Sequence, residues 1–280
     1  MTGSTARTQR QKGEAFRALH ARAQTFIIPN PWDVGTARLL AAAGFEALAT
    51  TSAGYAFSIG RRDGTVNRDE AMEHAARIVA ATDLPVSADF ESGFGDDPHV
   101  VAETIRLGAE QGLVGASIED IVDGGVQGRA ARLHDRSFAA ERIRAAAEAA
   151  RRLPFPFTLT ARCENFLVGN PDLDDTIARL QAYQEAGADV LYAPGTTTRA
   201  QLETIVRSVD RPVNFVAGLA GVPLTLRELA AIGVRRVSLG STLARVAFGA
   251  FLRAVREMKE HGTFTFAEAA VSYSEISAML

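Results

Sequence analysis

The sequence predicts a closed (β/α)8 barrel built as a single domain. Eight short, β-rich apolar runs alternate with alanine-rich helical stretches along the 280 residues. Such alternation implies parallel strands joined by right-handed crossovers. No Gly/Pro/Ser-rich linker divides the chain, and its length suits one barrel, which usually takes about 200–250 residues. Eight units without a break favour closure over a doubly wound open sheet, which is the second choice.

The predicted strands follow one another at regular intervals. They cover 26–30, 47–52, 85–90, 115–120, 157–162, 189–194, 212–218 and 235–240. The predicted helices lie between and after them, several behind an Asp, Ser or Thr that can cap a helix. They cover 34–43, 68–81, 99–111, 139–151, 174–186, 199–206, 225–231 and 242–259. Strand bodies are apolar and strand ends polar, which is typical of a barrel whose chemistry lies at its C-terminal mouth.

Both ends of the chain fall outside this alternation. Residues 1–12 contain no apolar run and are expected to be flexible, so the barrel with its helical tail is assigned to 13–280. The tail after Lys259, FAEAAVSYSEISAML, is predicted to form one further helix with an apolar side. That helix has no strand of its own to cover. We therefore expect it to dock on another subunit, so that a homo-oligomer forms.

Composition excludes several classes of protein. A hydrophobic fraction of 47% with 22% charged residues is typical of a soluble globular protein, and a net charge of −3 gives no reason to expect nucleic acid or membrane as partner. No apolar run approaches the roughly 18 residues of a membrane span, and no signal peptide is visible, so a cytoplasmic protein is expected. The single cysteine, Cys163, excludes an internal disulfide, and strand alternation turns it away from the barrel lumen. Lysine occurs only at Lys12 and Lys259, which removes a Schiff-base lysine from the mid-chain strands.

Carboxylates gather at the predicted strand ends. Asp89 and Glu91 stand two residues apart at the end of the third strand and would point the same way on an extended chain. Glu119 ends the fourth strand, and Asp63 lies in the loop after the second. Such a group would repel itself unless protons or a cation intervened, and an all-oxygen set suits Mg²⁺, with Mn²⁺ as the alternative. A role as a helix cap or as an exposed loop charge would explain any one of these acids. It would not explain why several of them occur together at the ends of successive strands.

Other polar groups are predicted at the same mouth. Arg162 ends the fifth strand and is the candidate cation for a substrate carboxylate, although a structural ion pair with the acids is the competing interpretation. Thr51 and Ser52 end the second strand. Their hydroxyl and backbone N–H groups could bind an anion or only close a turn.

Several motifs together resemble the isocitrate lyase/phosphoenolpyruvate mutase superfamily. The stretch NPWDVGTARLLAAAGFEALATTSAGYAFSIGRRDG is similar to that family's opening, and DFESGFG takes the place of its D-x-D-x-G-x-G. SIED corresponds to its E-D strand end, and TAR with a following acid to its strand-five arginine. GADVLYAPG and PVNFVAG continue the register, so the resemblance extends from about Asn30 to Arg245.

For fold and metal, the resemblance implies a TIM barrel whose terminal helix is exchanged between neighbours, usually within a tetramer. It implies Mg²⁺ chelated by a 2-oxo acid. Asp89 would be the direct protein ligand, and Asp63, Glu91 and Glu119 would act through water.

For the substrate, the resemblance implies that the turn of Thr51, Ser52 and Ala53 holds a carboxylate, with Arg162 and Asn214 as further contacts. The shared chemistry cleaves or forms a C–C or P–C bond next to an enolate of pyruvate type. The cation and Arg162 would stabilise the oxyanion as the bond breaks.

The segment expected to close the site departs from the family. The lyases carry a cysteine in a gate after the E-D strand, and the phosphonate mutases and hydrolases carry Lys and Asn there. Residues 121–136 contain none of the three, although their glycines suit a closing lid. His134 is the group in this gate with an unperturbed pKa of about 6.5, so it joins Arg162 and Glu119 as a catalytic candidate. A gate water, or solvent after opening, is the alternative proton source. Pro194 replaces a polar substrate contact of several members and points to a smaller or less polar substrate.

The first interpretation is a Mg²⁺-dependent carbon–carbon lyase or phosphonomutase-like enzyme that acts on a small 2-oxo acid or phosphonate. A phosphonopyruvate- or oxaloacetate-type hydrolase, a mutase and a decarboxylase remain open, as do the substrate and the bond that is cleaved. A non-catalytic dicarboxylate-binding barrel would also account for the unusual gate. A phosphate-dependent sugar aldolase is disfavoured by the lysine distribution.

Overall fold

The computed structural model describes residues 6–122, 131–196, 198–219 and 223–280. Within these ranges eight parallel strands form one sheet in the order β1-β8-β7-β6-β5-β4-β3-β2. The strands are β1 Phe26–Ile28, β2 Leu48–Ala49, β3 Val86–Asp89, β4 Gly115–Glu119, β5 Thr158–Arg162, β6 Val190–Tyr192, β7 Val213–Val216 and β8 Arg236–Ser238. The Ala49 amide donates to the Pro29 carbonyl at 3.1 Å and links the two end strands. The predicted (β/α)8 barrel is confirmed.

Helices surround this nearly closed ring. They are α1 Gln9–Ala21, α2 Val34–Ala42, α3 Ser52–Ser58, α4 Arg68–Ala81, α5 Pro98–Glu110, α6 Arg136–Arg151, α7 Leu173–Ala186, α8 Arg199–Arg207, α9 Leu226–Ile232, α10 Thr242–His261 and α11 Tyr273–Met279, with a 3-10 turn at Thr265–Ala269. Side-chain caps fix several starts: the Asn67 and Thr198 side chains each accept an amide three residues on. None of these helices is long and apolar enough to cross a membrane.

A helix that the sequence analysis did not predict precedes β1. Thr8 and Gln11 form a reciprocal capping box, and α1 starts at Gln9. The Gln9 side chain donates to the carbonyls of Ala109 and Leu113 at 2.7 and 2.9 Å. The boundary predicted at residue 12 therefore lies inside a helix, because polar side chains, rather than an apolar run, attach this segment to the barrel.

Alternation along the strands separates an apolar layer from a polar lumen. On β5, Leu159 and Ala161 are fully buried in the core between strands and helices. Thr160 and Arg162 point the other way and bond to polar groups inside the barrel. Cys163, just past β5, is fully buried in the apolar layer. The lumen is consequently lined by hydrogen-bonding side chains. In the sequence these residues are visible only as polar positions that interrupt apolar runs.

The C-terminal tail is not one continuous helix. The 3-10 turn ends at Ala269, and α11 starts only after Ser272, whose side chain accepts the Glu275 amide. Large apolar side chains are exposed on α10 and along the tail. They are Val246, Phe251, Leu252, Met258, Phe264, Val271, Tyr273, Ile276 and Leu280. Exchange of this tail between subunits stays a prediction.

Candidate active site

The carboxyl ends of the strands surround a cavity of about 140 Å³, here called the central cavity. Every strand contributes to its wall, from Ile28 of β1 to Ser238 of β8. Seven of the predicted site residues line it: Thr51, Ser52, Ala53, Asp63, Asp89, Arg162 and Asn214. Drug-sized ligands usually occupy pockets of about 300–1,000 Å³, so this cavity suits a small molecule.

Asp89 is held in one position by four donors. Its Oδ2 accepts the backbone amide and hydroxyl of Ser52 at 3.2 and 3.0 Å. Its Oδ1 accepts Nη1 of Arg162 at 2.8 Å and the Ser117 hydroxyl at 3.4 Å. The Thr50 hydroxyl accepts the Asp89 amide at 2.9 Å and fixes the backbone. The carboxylate is thus presented to the cavity in a preorganised orientation.

Asp63 shares the cavity wall with Asp89. Burial raises the pKa of Asp63, and the negative charge of Asp89 raises it further, while Ser52, the Gly64 amide and Arg162 oppose the shift. Two carboxylates that repel across a small cavity are stabilised by a cation between or beside them.

Arg162 lies at the centre of three carboxylates. Nη1 meets Asp89 at 2.8 Å, Nη2 meets Glu119 at 3.0 Å, and Nε meets Glu164 at 2.9 Å. The guanidinium also lies 5.3 Å from the centroid of the Tyr192 ring. Burial alone would lower the pKa of Arg162, but the three acids raise it above its usual value. The structural ion pair considered for this residue is therefore present.

Glu119 and Glu164 lie behind the cavity rather than in it. Burial raises the pKa of Glu119 well above its usual range, with Arg162 opposing the shift. Burial likewise raises the pKa of Glu164 to about 7, again against Arg162. Sequence reasoning assigned no role to Glu164. The signal that could have found it is its position two residues after Arg162, beside the end of an otherwise apolar strand.

The prediction of an extended chain at Asp89 and Glu91 is wrong. Strand β3 ends at Asp89, and Glu91 has a left-handed backbone with φ of 49°. The alternation rule for extended chains therefore does not apply to it. Asp89 faces the central cavity, whereas Glu91 and Glu119 line a neighbouring hollow of about 610 Å³ that also includes Arg68. The Glu91 carbonyl accepts the Glu119 amide at 2.9 Å and joins the two loops.

His134 is buried, but it lines neither of these two cavities. Its Nε2 lies 3.0 Å from Oδ1 of Asp96, and its ring meets Phe138 edge-on. Burial lowers the pKa of His134, and Arg142 lowers it further, so the imidazole is neutral near pH 7. The structure therefore does not bring this catalytic candidate to the reacting centre. Residues 123–130 of the predicted gate, including Arg129, lie outside the described residues.

The donor set fits a hard divalent cation. Among the described residues no three His, Cys, Asp or Glu side chains are close enough to hold a metal by themselves. Mg²⁺ commonly keeps several waters and takes only one or two protein carboxylates, the rest coming from substrate. Asp89 and Asp63 meet that requirement, and the pKa of Asp63 is raised first by burial and then by the negative charge of Asp89.

Known proteins share both this fold and this sequence. A solved structure from Burkholderia cenocepacia J2315, provisionally described as a lyase/mutase, is 61% identical over 96% of this chain and 95% of its own, with a TM-score of 0.92. The 2-methylisocitrate lyase of Escherichia coli K12 is 30% identical over 72% of this chain and 68% of its own length. An oxaloacetate decarboxylase of Pseudomonas paraeruginosa is 32% identical over 86% and 83%.

The family assignment covers nearly the whole barrel. Residues 16–259 match the family described as phosphoenolpyruvate phosphomutase. The match and the relatives confirm the predicted superfamily and the prediction of an enzyme of the lyase or mutase type. The chain belongs to the phosphoenolpyruvate phosphomutase family, within the isocitrate lyase/phosphoenolpyruvate mutase superfamily.

Proposed function

We propose that the protein is a Mg²⁺-dependent lyase that cleaves a C–C bond of a small 2-oxo acid, or of an adduct of one, next to an enolate of pyruvate type. The observation that carries this proposal is the repelling pair Asp63 and Asp89 beside Arg162 in a cavity of about 140 Å³. Loss of CO₂ from an oxaloacetate-type acid is one form of this reaction. The similarity to an oxaloacetate decarboxylase supports that form.

Asp89 would hold the cation directly, and Asp63 would act through water from the same wall. Glu91 and Glu119 would act through water from the neighbouring hollow. The bound cation supplies Lewis-acid stabilisation of the negative charge that develops as the bond breaks. Asp89, Glu119 and Glu164 outnumber Arg162 three to one beside this cavity.

Arg162 would act as a fixed donor rather than a mobile clamp. Its three ion pairs use three of the five N–H groups of a guanidinium and leave one on each terminal nitrogen. A donor held by three acids needs no reorganisation when charge develops on the substrate, which is the usual basis of electrostatic catalysis. The Ser52 hydroxyl and the Asn214 amide line the same cavity and would orient the acid.

Turnover of a defined panel tests the proposal. The protein is incubated with Mg²⁺ and oxaloacetate, 2-methylisocitrate, 2,3-dimethylmalate or phosphonopyruvate, and each reaction is followed through its oxo-acid product. Cleavage of a carbon substrate that stops with EDTA supports the proposal. Reaction with phosphonopyruvate alone would show that the enzyme cleaves a P–C bond instead of a C–C bond. Absence of turnover with all four compounds would contradict the proposed function.

The proton that quenches the enolate is proposed to come from water, because His134 is paired with Asp96 and lines neither cavity. We expect His134→Gln to lower kcat less than about 5-fold and to leave its pH profile unchanged, whereas loss of a general acid usually costs about 10²–10⁴-fold. The matched control is His99→Gln, on α5. A thousandfold loss in kcat for His134→Gln alone, with KM and metal affinity intact, would show that the histidine is the donor.

We also propose a homo-oligomer, a tetramer by resemblance, in which the tail docks on a neighbour. Phe251 of α10 is 63% exposed and Tyr273 of the tail is 88% exposed, which is unusual for such large side chains. Deleting the chain from Thr263 onward is expected to give smaller, aggregation-prone species in sedimentation. Tyr273→Glu in the full chain should weaken assembly without deleting anything, while Glu260→Gln should not. The same oligomer for the deletion and the wild type would exclude this interface.

A further inference from the structure

A second cavity, here called the lower cavity, lies at the N-terminal ends of the strands. Its volume is about 720 Å³, and its wall includes Thr158, which begins β5, and Pro212, which precedes β7. The strands are parallel, so this end of the barrel is opposite the carboxyl ends that surround the central cavity. Ligand pockets usually measure about 300–1,000 Å³, so the lower cavity has room for a larger molecule than the central cavity.

Four arginines line the lower cavity. They are Arg10 and Arg17 of α1, Arg151 in the last turn of α6 and Arg211 before β7. The Arg10 side chain donates to the Pro154 carbonyl. The side chains of the other three have no hydrogen bond or ion pair in the part of the chain that the structure describes, and all three residues are exposed. Each of these three guanidinium groups therefore keeps its N–H donors for water or a ligand.

The charges around the lower cavity do not balance. Glu14 and Asp189 are the acids in its lining, so the four arginines leave an excess of two positive charges. His20 also lines the cavity, but burial lowers its pKa to about 3 and the charge of Arg236 on β8 lowers it further, so this ring is neutral near pH 7. The charge balance favours an anion as the ligand.

The three free arginines lie around Asp189. Oδ2 of this carboxylate accepts the Leu159 amide at 2.8 Å. Loss of contact with water raises the pKa of Asp189, and the Leu159 amide opposes the rise. The charges of Arg211, Arg151 and Arg17 oppose it as well. Three positive charges from separate segments thus act at one place in the cavity, where the carboxylate is already hydrogen-bonded to the backbone.

Gly187 makes room for the guanidinium of Arg151. Gly187 ends α7 with a left-handed backbone, φ 108°, and a Cβ atom there would lie 3.0 Å from Cζ of Arg151. The guanidinium therefore lies directly against the backbone of residue 187. This contact restricts the side chain without using its N–H groups. An arginine placed in this way is suited to bidentate binding of phosphate oxygens.

The segment LPFPF, residues 153–157, gives the lower cavity an apolar side. Phe157 is only 7% exposed, whereas Leu153 and Phe155 are half-buried and remain open to contact. An accessible aromatic ring can pack against a nucleobase, and such stacking is worth about 1–3 kcal/mol per base. The cavity thus combines an apolar surface with free arginines.

We propose that the lower cavity binds a nucleoside polyphosphate, with its phosphates on Arg17, Arg151 and Arg211 and its base against Phe155. The excess of positive charge and the free N–H donors account for the phosphates. The apolar segment accounts for the base, and the volume accommodates both. The site lies at the other end of the barrel from the central cavity, so this proposal does not depend on the proposed reaction.

Three probes test the proposal by calorimetry, in the presence of EDTA and without Mg²⁺. ATP should bind the wild type at least about 10-fold more tightly than adenosine, which lacks the charge-assisted hydrogen bonds to phosphate. ATP should also bind at least about 5-fold more tightly than tripolyphosphate, which lacks the base. Equal affinities for ATP and adenosine, equal affinities for ATP and tripolyphosphate, or absence of ATP binding would overturn the proposal.

Variants locate the binding in the lower cavity. Arg151→Gln and Arg211→Gln should each weaken ATP binding at least about 10-fold. The matched control is Arg144→Gln, at an exposed arginine of α6 outside the lining, which should bind ATP as the wild type does. Phe155→Ala should weaken the binding of ATP but not of tripolyphosphate. An equal loss in Arg144→Gln, or unchanged ATP affinity in folded Arg151→Gln and Arg211→Gln, would contradict this site.

Discussion

Replacing Asp89 with asparagine is expected to weaken Mg²⁺ binding at least about 100-fold and turnover at least about 10³-fold, while the barrel stays folded. Asparagine keeps the shape and can still accept the Ser52 amide and hydroxyl that hold Asp89. It removes the charge of the residue proposed as the direct protein ligand, and waters around the cation would not replace that charge. Calorimetric titration with Mg²⁺, alongside steady-state kinetics, measures both effects.

Two further variants bracket this result. Asp63→Asn should weaken Mg²⁺ binding less, because Asp63 would act through water. Asp189→Asn should change nothing, since Asp189 accepts the Leu159 amide just before β6 and lines no part of the central cavity. Equal Mg²⁺ affinity for the wild type and Asp89→Asn would remove the cation site from this cavity.

Replacing Arg162 with methionine is expected to cost both stability and activity. The side chain is buried with Asp89, Glu119 and Glu164, and its loss leaves these three acids facing one another. Removing one partner of a buried ion pair typically costs about 3–5 kcal/mol of unfolding free energy. Denaturant unfolding should show a loss of this size. Arg106→Met, which breaks ion pairs of an exposed arginine on α5, should not change the midpoint measurably.

The loss in Arg162→Met should depend on pH in a defined direction. Burial already raises the pKa of Glu164 to about 7, and Arg162 opposes that rise, so the variant should raise this pKa further. A carboxyl group whose pKa is higher in the folded than in the unfolded state stabilises the fold fully at any pH below its unfolded pKa. This contribution is lost as the pH rises through its folded pKa. The stability deficit should therefore be larger at pH 8 than at pH 5. Adding Glu164→Gln should recover part of it at pH 8, and a deficit that is independent of pH would argue against this electrostatic origin.

Local patterns were sufficient to predict the fold and the acidic mouth. Each strand is a short apolar run that ends in polar residues, so its position could be predicted without tertiary information. The same pattern predicted that Asp63 and Asp89 lie at one mouth of the barrel. The short helix α3 was missed because Thr51 caps it immediately after β2, where a strand end and a turn were expected. The backbone of Glu91 was predicted wrongly as extended, because the sequence gives no local signal for a left-handed residue that is not glycine.

The parts of the site that depend on tertiary closure could not be predicted. Histidine is the residue type whose ordinary pKa suits a proton carrier, and His134 was chosen on that ground. Only the folded chain shows that His134 pairs with Asp96 outside the central cavity. Arg236 could not be assigned to the lumen from the run RRVSLG, because Arg235 is half-buried beside it and one-dimensional alternation does not say which of the two arginines faces the lumen. Its contacts with Thr160 and His20 join segments far apart in the sequence.

The burial of Cys163 has a consequence for how this protein responds to oxidants. Burial raises the pKa of this thiol well above its usual value, and Asp120 raises it further, so almost no thiolate is present at neutral pH. It is also the only cysteine in the chain. Peroxide and thiol-alkylating reagents thus find no reactive cysteine thiol. The proposed reaction, which uses carboxylates, an arginine and water, is therefore expected to continue under conditions that inactivate a lyase dependent on a gate cysteine.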